Sequence, residues 1–211
     1  LIRVEQSAES LKTITQDLEK IFIQAKGMDS FTVEKVEMVG PQVGNDLKMR
    51  GLWALFYSLL GILIYVAIRF DYRFSPGGVI ALIHDVIITL GAFALLGKKF
   101  DLTTLAAVLT IIGYSINDTI VIFDRIRENV KKYGGMDIVQ VVNKSLNETL
   151  SRTILTSFTV FLVVVTLFWV GGEVIHDFSF AMIVGIISGS YSTLFIACPI
   201  FLYLHQRSLK Y

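Results

Sequence analysis

The sequence predicts an all-α membrane protein with several transmembrane helices, preceded by a partial α+β segment that faces water. Of its 211 residues, 54% are hydrophobic and only 18% are charged, and the mean hydropathy is +0.64. A soluble domain of this size carries more charge and shorter apolar runs. After residue 50, five apolar runs approach the length of about 20 residues with which a helix crosses a bilayer.

Residues 1–48 predict a β-α-β segment outside the membrane. A short strand in 1–5 is followed by a helix, for which Ser7 is a candidate N-cap, and by a strand in 30–40 that alternates polar and apolar residues. A unit this small buries too little apolar surface to be stable alone. We therefore expect it to be half of a larger extramembrane domain, and the chain to be part of a longer protein.

Residues 49–211 predict the transmembrane domain. The polar stretch 124–152 places apolar residues four positions apart in its second part, which favours an amphipathic helix at the membrane surface. The predicted spans are about 51–70, 78–97, 102–123, 153–172 and 178–204.

The distribution of Lys and Arg predicts the orientation of the spans. Loop 69–77, stretch 124–152 and the C-terminal tail share one side and hold most of the basic residues near the membrane. Basic residues favour the cytoplasmic side. We therefore expect the C-terminus in the cytoplasm and residues 1–48 on the outer, periplasmic side.

Asp118, in the third apolar run, is the main candidate functional residue. A charge near the centre of a spanning helix costs about 2.5–3.5 kcal/mol on insertion scales. A carboxylate avoids this cost by binding a proton or by pairing with a cation, and Arg152 opens the next span at a similar depth. We predict a proton relay of Asp118 and Arg152. The supporting polar residues are His84, Asp85, Tyr114, Ser115, Asn117, Thr119 and Thr156.

These polar residues also have structural interpretations. Hydrogen bonds between membrane helices hold them together, at about 0.6 kcal/mol each on average. His84 and Asp85 are close enough to the interface to anchor their span, and Arg152 at a cytoplasmic helix end follows from the positive-inside bias alone. The functional interpretation of Arg152 therefore depends on Asp118.

Other chemistry is disfavoured. The three histidines lie in different segments, the single cysteine is isolated, and the phosphate-binding pattern G-x-x-x-x-G-K is missing from the sequence. Basic residues interleaved with aromatic ones, as nucleic-acid binding requires, are not found either. We expect no cofactor and no nucleic-acid partner, and a proton as the coupling ion.

Four motifs in order give a resemblance to a known family. They are residues 36–51 ("VEMVGPQVGNDLKMRG"), residues 69–93 ("RFDYRFSPGGVIALIHDVIITLGAF"), residues 101–129 with "GYSINDT" at 113–119, and residues 147–164 ("NETLSRTILTSFTVFLVV"). In these four motifs the chain resembles the SecF family. SecF is the smaller half of the SecD–SecF protein-export complex. The resemblance extends over nearly the whole chain.

The resemblance implies a fold, partners and a mechanism. It implies five helices of an RND-like six-helix bundle, a ferredoxin-like periplasmic domain, and a place in the bacterial inner membrane. It implies SecD, the SecYEG translocon, an unfolded preprotein and membrane lipid as partners, with YajC and YidC as further candidates. The Asp of "GYSINDT" and the Arg of "SRT", Asp118 and Arg152 here, are tied in that family to proton conduction.

Three other functions remain open from the sequence. An RND-type half-transporter would export a small molecule or a lipid. An intramembrane aspartyl protease would use Asp85 and Asp118 as a dyad sharing a proton, although neither lies in a G-x-G-D pattern. A structural subunit would only brace SecD. Of all these functions we predict the role in protein export that the resemblance to the SecF family implies, which is not enzymatic.

Overall fold

The computed structural model describes residues 20–21, 41–70, 74–98 and 100–208, and all regular structure in these ranges is helical. The chain divides into two compact units, Leu1–Leu52 and Trp53–Tyr211. The helices are α1 (Pro41–Arg69), α2 (Ser75–Leu95), α3 (Leu102–Lys132), α4 (Ile138–Val170), α5 (Gly172–Ser192) and α6 (Cys198–Ser208), with a π-helical turn at Thr193–Ala197 between the last two.

The prediction of five membrane-spanning helices is confirmed. Five helical segments are long and apolar enough to cross a bilayer, and the last one, Ile175–Arg207, combines α5, the π-helical turn and α6. The strands predicted in residues 1–48 lie outside the described residues. Helix α1 begins at Pro41, about ten residues before the predicted start of its span.

The stretch 124–152 differs from the separate surface helix that its pattern predicted. Helix α3 continues to Lys132 and α4 already begins at Ile138, so that both spans extend into a helical hairpin. The apolar face of this stretch, including Ile126, Val141 and Val142, is buried at 0–1% exposure within the protein. An apolar stripe with helical periodicity can pack either against lipid or against another helix. Here the apolar residues of this stretch pack within the protein.

Polar contacts fasten the helical hairpin. The Arg125 Nε donates to Glu148 at 2.6 Å, and the Asn129 amide donates to Glu148 at 2.8 Å and to Ser145 at 3.0 Å. At the turn, the Lys144 and Lys132 ammonium groups lie 4.0 and 5.3 Å from the Tyr133 ring centre.

The charge at this turn affects Tyr133. Hydrogen bonding to Lys144, and secondarily to Lys132, lowers the pKa of the Tyr133 phenol. The tip of the helical hairpin is therefore electropositive, as the bias of basic residues toward one side of the membrane requires.

Local sequence explains where the helices turn. The carboxylate of Asp101 caps α3 by accepting from the Thr104 backbone N–H at 2.8 Å. Between α4 and α5 the chain reverses at Gly171 and Gly172, and Gly172 has a φ of +74°, which residues with a side chain rarely adopt. An ion pair of 2.6 Å between Lys98 and Asp177 joins the two turns at this end.

Helices α2, α3 and α5 to α6 enclose two apolar clusters and a polar layer. One cluster contains Phe74, Phe123 and Phe201: the Phe74 ring stacks on Phe201 and meets Phe123 edge-on. The other contains Phe93 and Ile111. The polar layer consists of the buried side chains Asp85, Thr89, Ser115, Asp118, Thr119, Ser188, Ser192 and Thr193.

Two glycines let α5 approach α3 closely. A Cβ placed on Gly185 would lie 2.4 Å from the Ile111 side chain, and one on Gly189 would lie 3.1 Å from Ser115. Small residues permit such close helix packing in membranes. The polar side chains of α5 are thereby brought within hydrogen-bond range of α2 and α3.

The packing predicts a difference between two glycines of α2. A Cβ on Gly77 would lie 2.6 Å from the carbonyl oxygen of Ala197, whereas one on Gly91 would meet nothing within 4 Å. Gly77→Ala should destabilise the protein by about 1–3 kcal/mol, because backbone has to move. Gly91→Ala should be neutral or stabilising by up to about 1 kcal/mol. Thermal unfolding of both variants in detergent measures this, and equal midpoints would contradict the packing of α2 on the π-helical turn.

Candidate functional site

Asp85 of α2 is the centre of the polar layer. Its side chain is fully buried, at 0% exposure. Three serine hydroxyls donate to it: Ser115 of α3 to Oδ2 at 2.7 Å, Ser192 of α5 to Oδ2 at 2.8 Å, and Ser188 of α5 to Oδ1 at 2.7 Å. One carboxylate therefore connects three helices.

Asp85 is surrounded by hydrogen-bond donors on both of its oxygens. The Nδ1 of His84 lies 3.1 Å from Oδ1 of Asp85, so that each carboxylate oxygen has two neighbouring groups able to donate. An ionised carboxylate only accepts hydrogen bonds, with about four lone-pair sites, and hydrogen bonds to a charged acceptor are the stronger ones. The site thus offers up to four donors to the two oxygens of Asp85 inside the protein.

Asp118 of α3 has a different environment. It is buried, at 7% exposure, and the Ser157 hydroxyl of α4 donates to its Oδ2 over 3.5 Å, at the upper limit for a hydrogen bond. Ser157 in turn accepts from Ser190 of α5 at 3.0 Å. Asp118 is therefore held far less firmly than Asp85.

Arg152, the predicted partner of Asp118, lies at the surface of α4. Among the described residues no carboxylate oxygen comes within 4.0 Å of its guanidinium, although its charge acts on Asp118 across a longer distance. Arg152 precedes Ser157 by five residues, or about 7.5 Å along the helix axis. The structure places the two predicted relay residues in the same region without a salt bridge.

Of the other predicted site residues, Thr119 belongs to the polar layer, and the remaining ones lie outside it. Thr119 is buried and shares a 3.1 Å hydrogen bond with Thr193 of the π-helical turn. The hydroxyl of Tyr114 is buried and, within the described part of the chain, has no hydrogen-bond partner. Asn117 is exposed. Thr156 donates to the backbone oxygens of Arg152 and Thr153.

The serines of α5 were missed by the sequence interpretation. Ser188 and Ser192 hold Asp85, and Ser190, between them, reaches Ser157 toward α4. A signal was available, because the segment 188–193 ("SGSYST") is rich in hydroxyl groups within an otherwise apolar span.

The π-helical turn adjoins the layer. Thr193 begins it and donates to the Gly189 carbonyl at 2.9 Å. Single π-helical turns within α-helices are frequently found at functional sites. Pro199 follows two residues after its end and provides no backbone N–H, which also keeps this region from being a regular α-helix.

The geometry does not favour the protease alternative. A catalytic dyad requires two carboxylates that share one proton. Asp85 and Asp118 instead have separate hydroxyl partners on different helices. In the described residues there is also no group of three or more His, Cys, Asp or Glu side chains able to hold a metal ion.

Fold and site together define a class: a multi-pass helical membrane protein with buried, ionisable polar side chains among its spanning helices. Residues 19–207 match the family described as protein export membrane protein SecD/SecF, C-terminal. The chain belongs to this family.

Relatives and solved structures agree with the assignment. The chain is 48% identical to the protein translocase subunit SecF of Calditerrivibrio nitroreducens, covering 93% of this chain and 66% of the relative. It is 46% identical to that of Desulfurispirillum indicum, covering 98% and 66%. The crystal structure of SecDF, a translocon-associated membrane protein from Thermus thermophilus, superposes with a TM-score of 0.82 at 40% identity, covering 96% of this chain and 27% of that chain. The chain thus spans just under two thirds of the length of these two SecF relatives.

The site predicts a large effect for Asp85→Asn. The amide replaces one acceptor oxygen by a donor that faces hydroxyl donors, so the variant should lose about 1.5–3 kcal/mol of stability. Asp124→Asn is the matched control on α3, because Asp124 is exposed and pairs with Arg69 at 3.2 Å. It should cost less than about 1 kcal/mol. Unfolding midpoints in detergent compare the two, and a loss for Asp85→Asn no greater than the control's would argue against an ionised Asp85.

Proposed function

We propose that this chain is the proton-driven part of a protein-export subunit, which works with SecD beside the SecYEG translocon and helps to draw unfolded preprotein across the bacterial cytoplasmic membrane. Two relatives of the chain are named protein translocase subunit SecF, and a similar solved structure is a translocon-associated membrane protein. In this proposal residues 1–48 are periplasmic and the helical hairpin of α3 and α4 is cytoplasmic.

The observation that carries the proposal is the contrast between the two buried carboxylates. Asp85 has three serine donors within 2.8 Å, whereas Asp118 has one donor at 3.5 Å. A carboxylate with few donors in an apolar environment gains most from binding a proton. Asp118 is therefore the group that exchanges the proton, and Asp85 is the anion that stays.

Arg152 is the partner of Asp118 in its deprotonated state. When Asp118 loses its proton, the charge requires compensation, and the nearest helix, α4, presents both Ser157 and Arg152. A shift of α4 along or about its axis would bring the guanidinium to the carboxylate. Proton binding and release then alternate between two positions of α4, which is the kind of two-state element that converts a gradient into movement.

The available energy is sufficient. Moving one elementary charge through 100 mV supplies about 2.3 kcal/mol. Since about 1.4 kcal/mol corresponds to a factor of ten in an equilibrium, one proton can change the ratio of two states roughly fifty-fold. Such a bias is enough to drive a periplasmic segment between two positions in each cycle.

The proposal predicts that Asp118→Asn abolishes proton flux. The amide is close in size to the acid but cannot release a proton at Asp118, so flux should fall at least ten-fold in proteoliposomes that contain the full-length subunit with SecD. Gradient-driven preprotein release should fall with it. A pH-sensitive dye inside the vesicles reports the flux, and an export assay with and without a gradient reports the release.

Asp124→Asn is again the control, since it makes the same chemical change at an exposed position of the same helix. It should conduct like the parent. Normal flux in a correctly inserted Asp118→Asn variant would refute the proposed exchange.

A further inference from the structure

Helix α4 carries a column of buried hydroxyl groups that the sequence interpretation did not single out. Ser145, Thr149, Thr153 and Ser157 follow each other at every fourth position. The first three are 0%, 7% and 3% exposed, and Ser157 is partly buried. Residues four apart are neighbours on a helix surface, so each hydroxyl lies one turn from the next.

The spacing suits a chain of water molecules. Four residues rise about 6 Å along the axis, which is close to two hydrogen-bond lengths of about 2.8 Å. One water between each pair of neighbouring hydroxyls therefore completes a continuous chain of hydrogen bonds. A buried water needs two to four polar partners, and neighbouring hydroxyls and helix carbonyls provide them.

The column has a carboxylate at each end. At the inner end, Ser157 donates to Asp118 at 3.5 Å. At the other end, the Asn129 amide donates both to Ser145, at 3.0 Å, and to Glu148, at 2.8 Å. The Glu148 side chain is 28% exposed, so this end reaches water.

Thr153 leaves one hydroxyl of the column available to a ligand. Ser145 and Thr149 donate to the backbone carbonyls of Val141 and Ser145, an ordinary arrangement for hydroxyls in helices. The Thr153 Oγ1 is buried and has no hydrogen-bond partner among the described residues. A buried hydroxyl without a partner disfavours folding, and valine would fill the same volume without that penalty. A ligand of the hydroxyl, here water, accounts for threonine at this position.

We propose that waters bound along Ser145, Thr149, Thr153 and Ser157 form the path by which protons leave Asp118 for the aqueous phase at Glu148. This inference rests on the proposed proton exchange at Asp118. The O–H bond of the Asp118 carboxyl breaks and its proton joins the adjacent water. Each water and each hydroxyl of the column in turn accepts one proton and releases another to the next oxygen, and the last proton enters bulk water, which leaves Asp118 as a carboxylate and the hydroxyls unchanged.

The decisive variant is Thr153→Val. It removes only the hydroxyl, so stability should stay the same or rise, whereas proton flux through the full-length subunit with SecD should fall at least ten-fold. Thr153→Ser, which retains the hydroxyl, should restore most of the flux. Thr166→Val is the matched control on α4, because Thr166 is exposed and donates to the Leu162 carbonyl. It should conduct like the parent.

Flux and unfolding midpoint are measured on the same preparations, together with Asp118→Asn. If Asp118→Asn is inactive but Thr153→Val conducts like the parent, the path is refuted and the exchange at Asp118 stands. If Asp118→Asn conducts normally, both the path and the proton exchange at Asp118 are refuted. A loss of flux in Thr153→Val together with a lower unfolding midpoint would mark the hydroxyl as structural and would also overturn the path.

Discussion

The contact of the buried Asp85 side chain with serine hydroxyls of two other helices is the interaction on which the rest of the bundle depends. In hydrocarbon there is no water to solvate Asp85, so its donors have to come from other helices. Ser115 supplies one from α3, and Ser188 and Ser192 supply two from α5. These bonds require the short separation between α3 and α5 that Gly185 and Gly189 allow. The hydrogen bonds to Asp85 therefore form only if these helices pack closely.

Helix α4 makes fewer polar contacts with the layer around Asp85. It makes no hydrogen bond to Asp85 within the described residues, and its polar contacts with the layer are Ser157 to Asp118 at 3.5 Å and Ser190 to Ser157 at 3.0 Å. Hydroxyl contacts of this kind are exchanged at low cost. The helix that carries Arg152 and the buried hydroxyl column is therefore fastened to α3 mainly in the helical hairpin, through Arg125, Asn129 and Glu148, and only weakly at the polar layer.

Much of the fold could be predicted, because the apolar runs are long and the bilayer sets their length. Five spans were predicted, and the described residues contain five helices long and apolar enough to cross a membrane. The stretch 124–152 was the exception, since Ile126 and Val142 have a periodicity that suits burial against lipid and against a helix equally. In the site, Asp118 was identified because a lone acid in an apolar run is conspicuous. Ser188, Ser190 and Ser192 were not, because serine is common in packed membrane helices for its size alone.

The sequence by itself determined the class of protein, the number of spans and the presence of two acids among them, because these follow from hydropathy and from the cost of charge in lipid. Only the tertiary structure decided which acid is firmly coordinated. Asp85 and Asp118 cannot be distinguished in the sequence, because each is an aspartate within an apolar run. Their difference arises from which hydroxyls the neighbouring helices bring to them, and that depends on helix rotation and separation, which no single segment encodes.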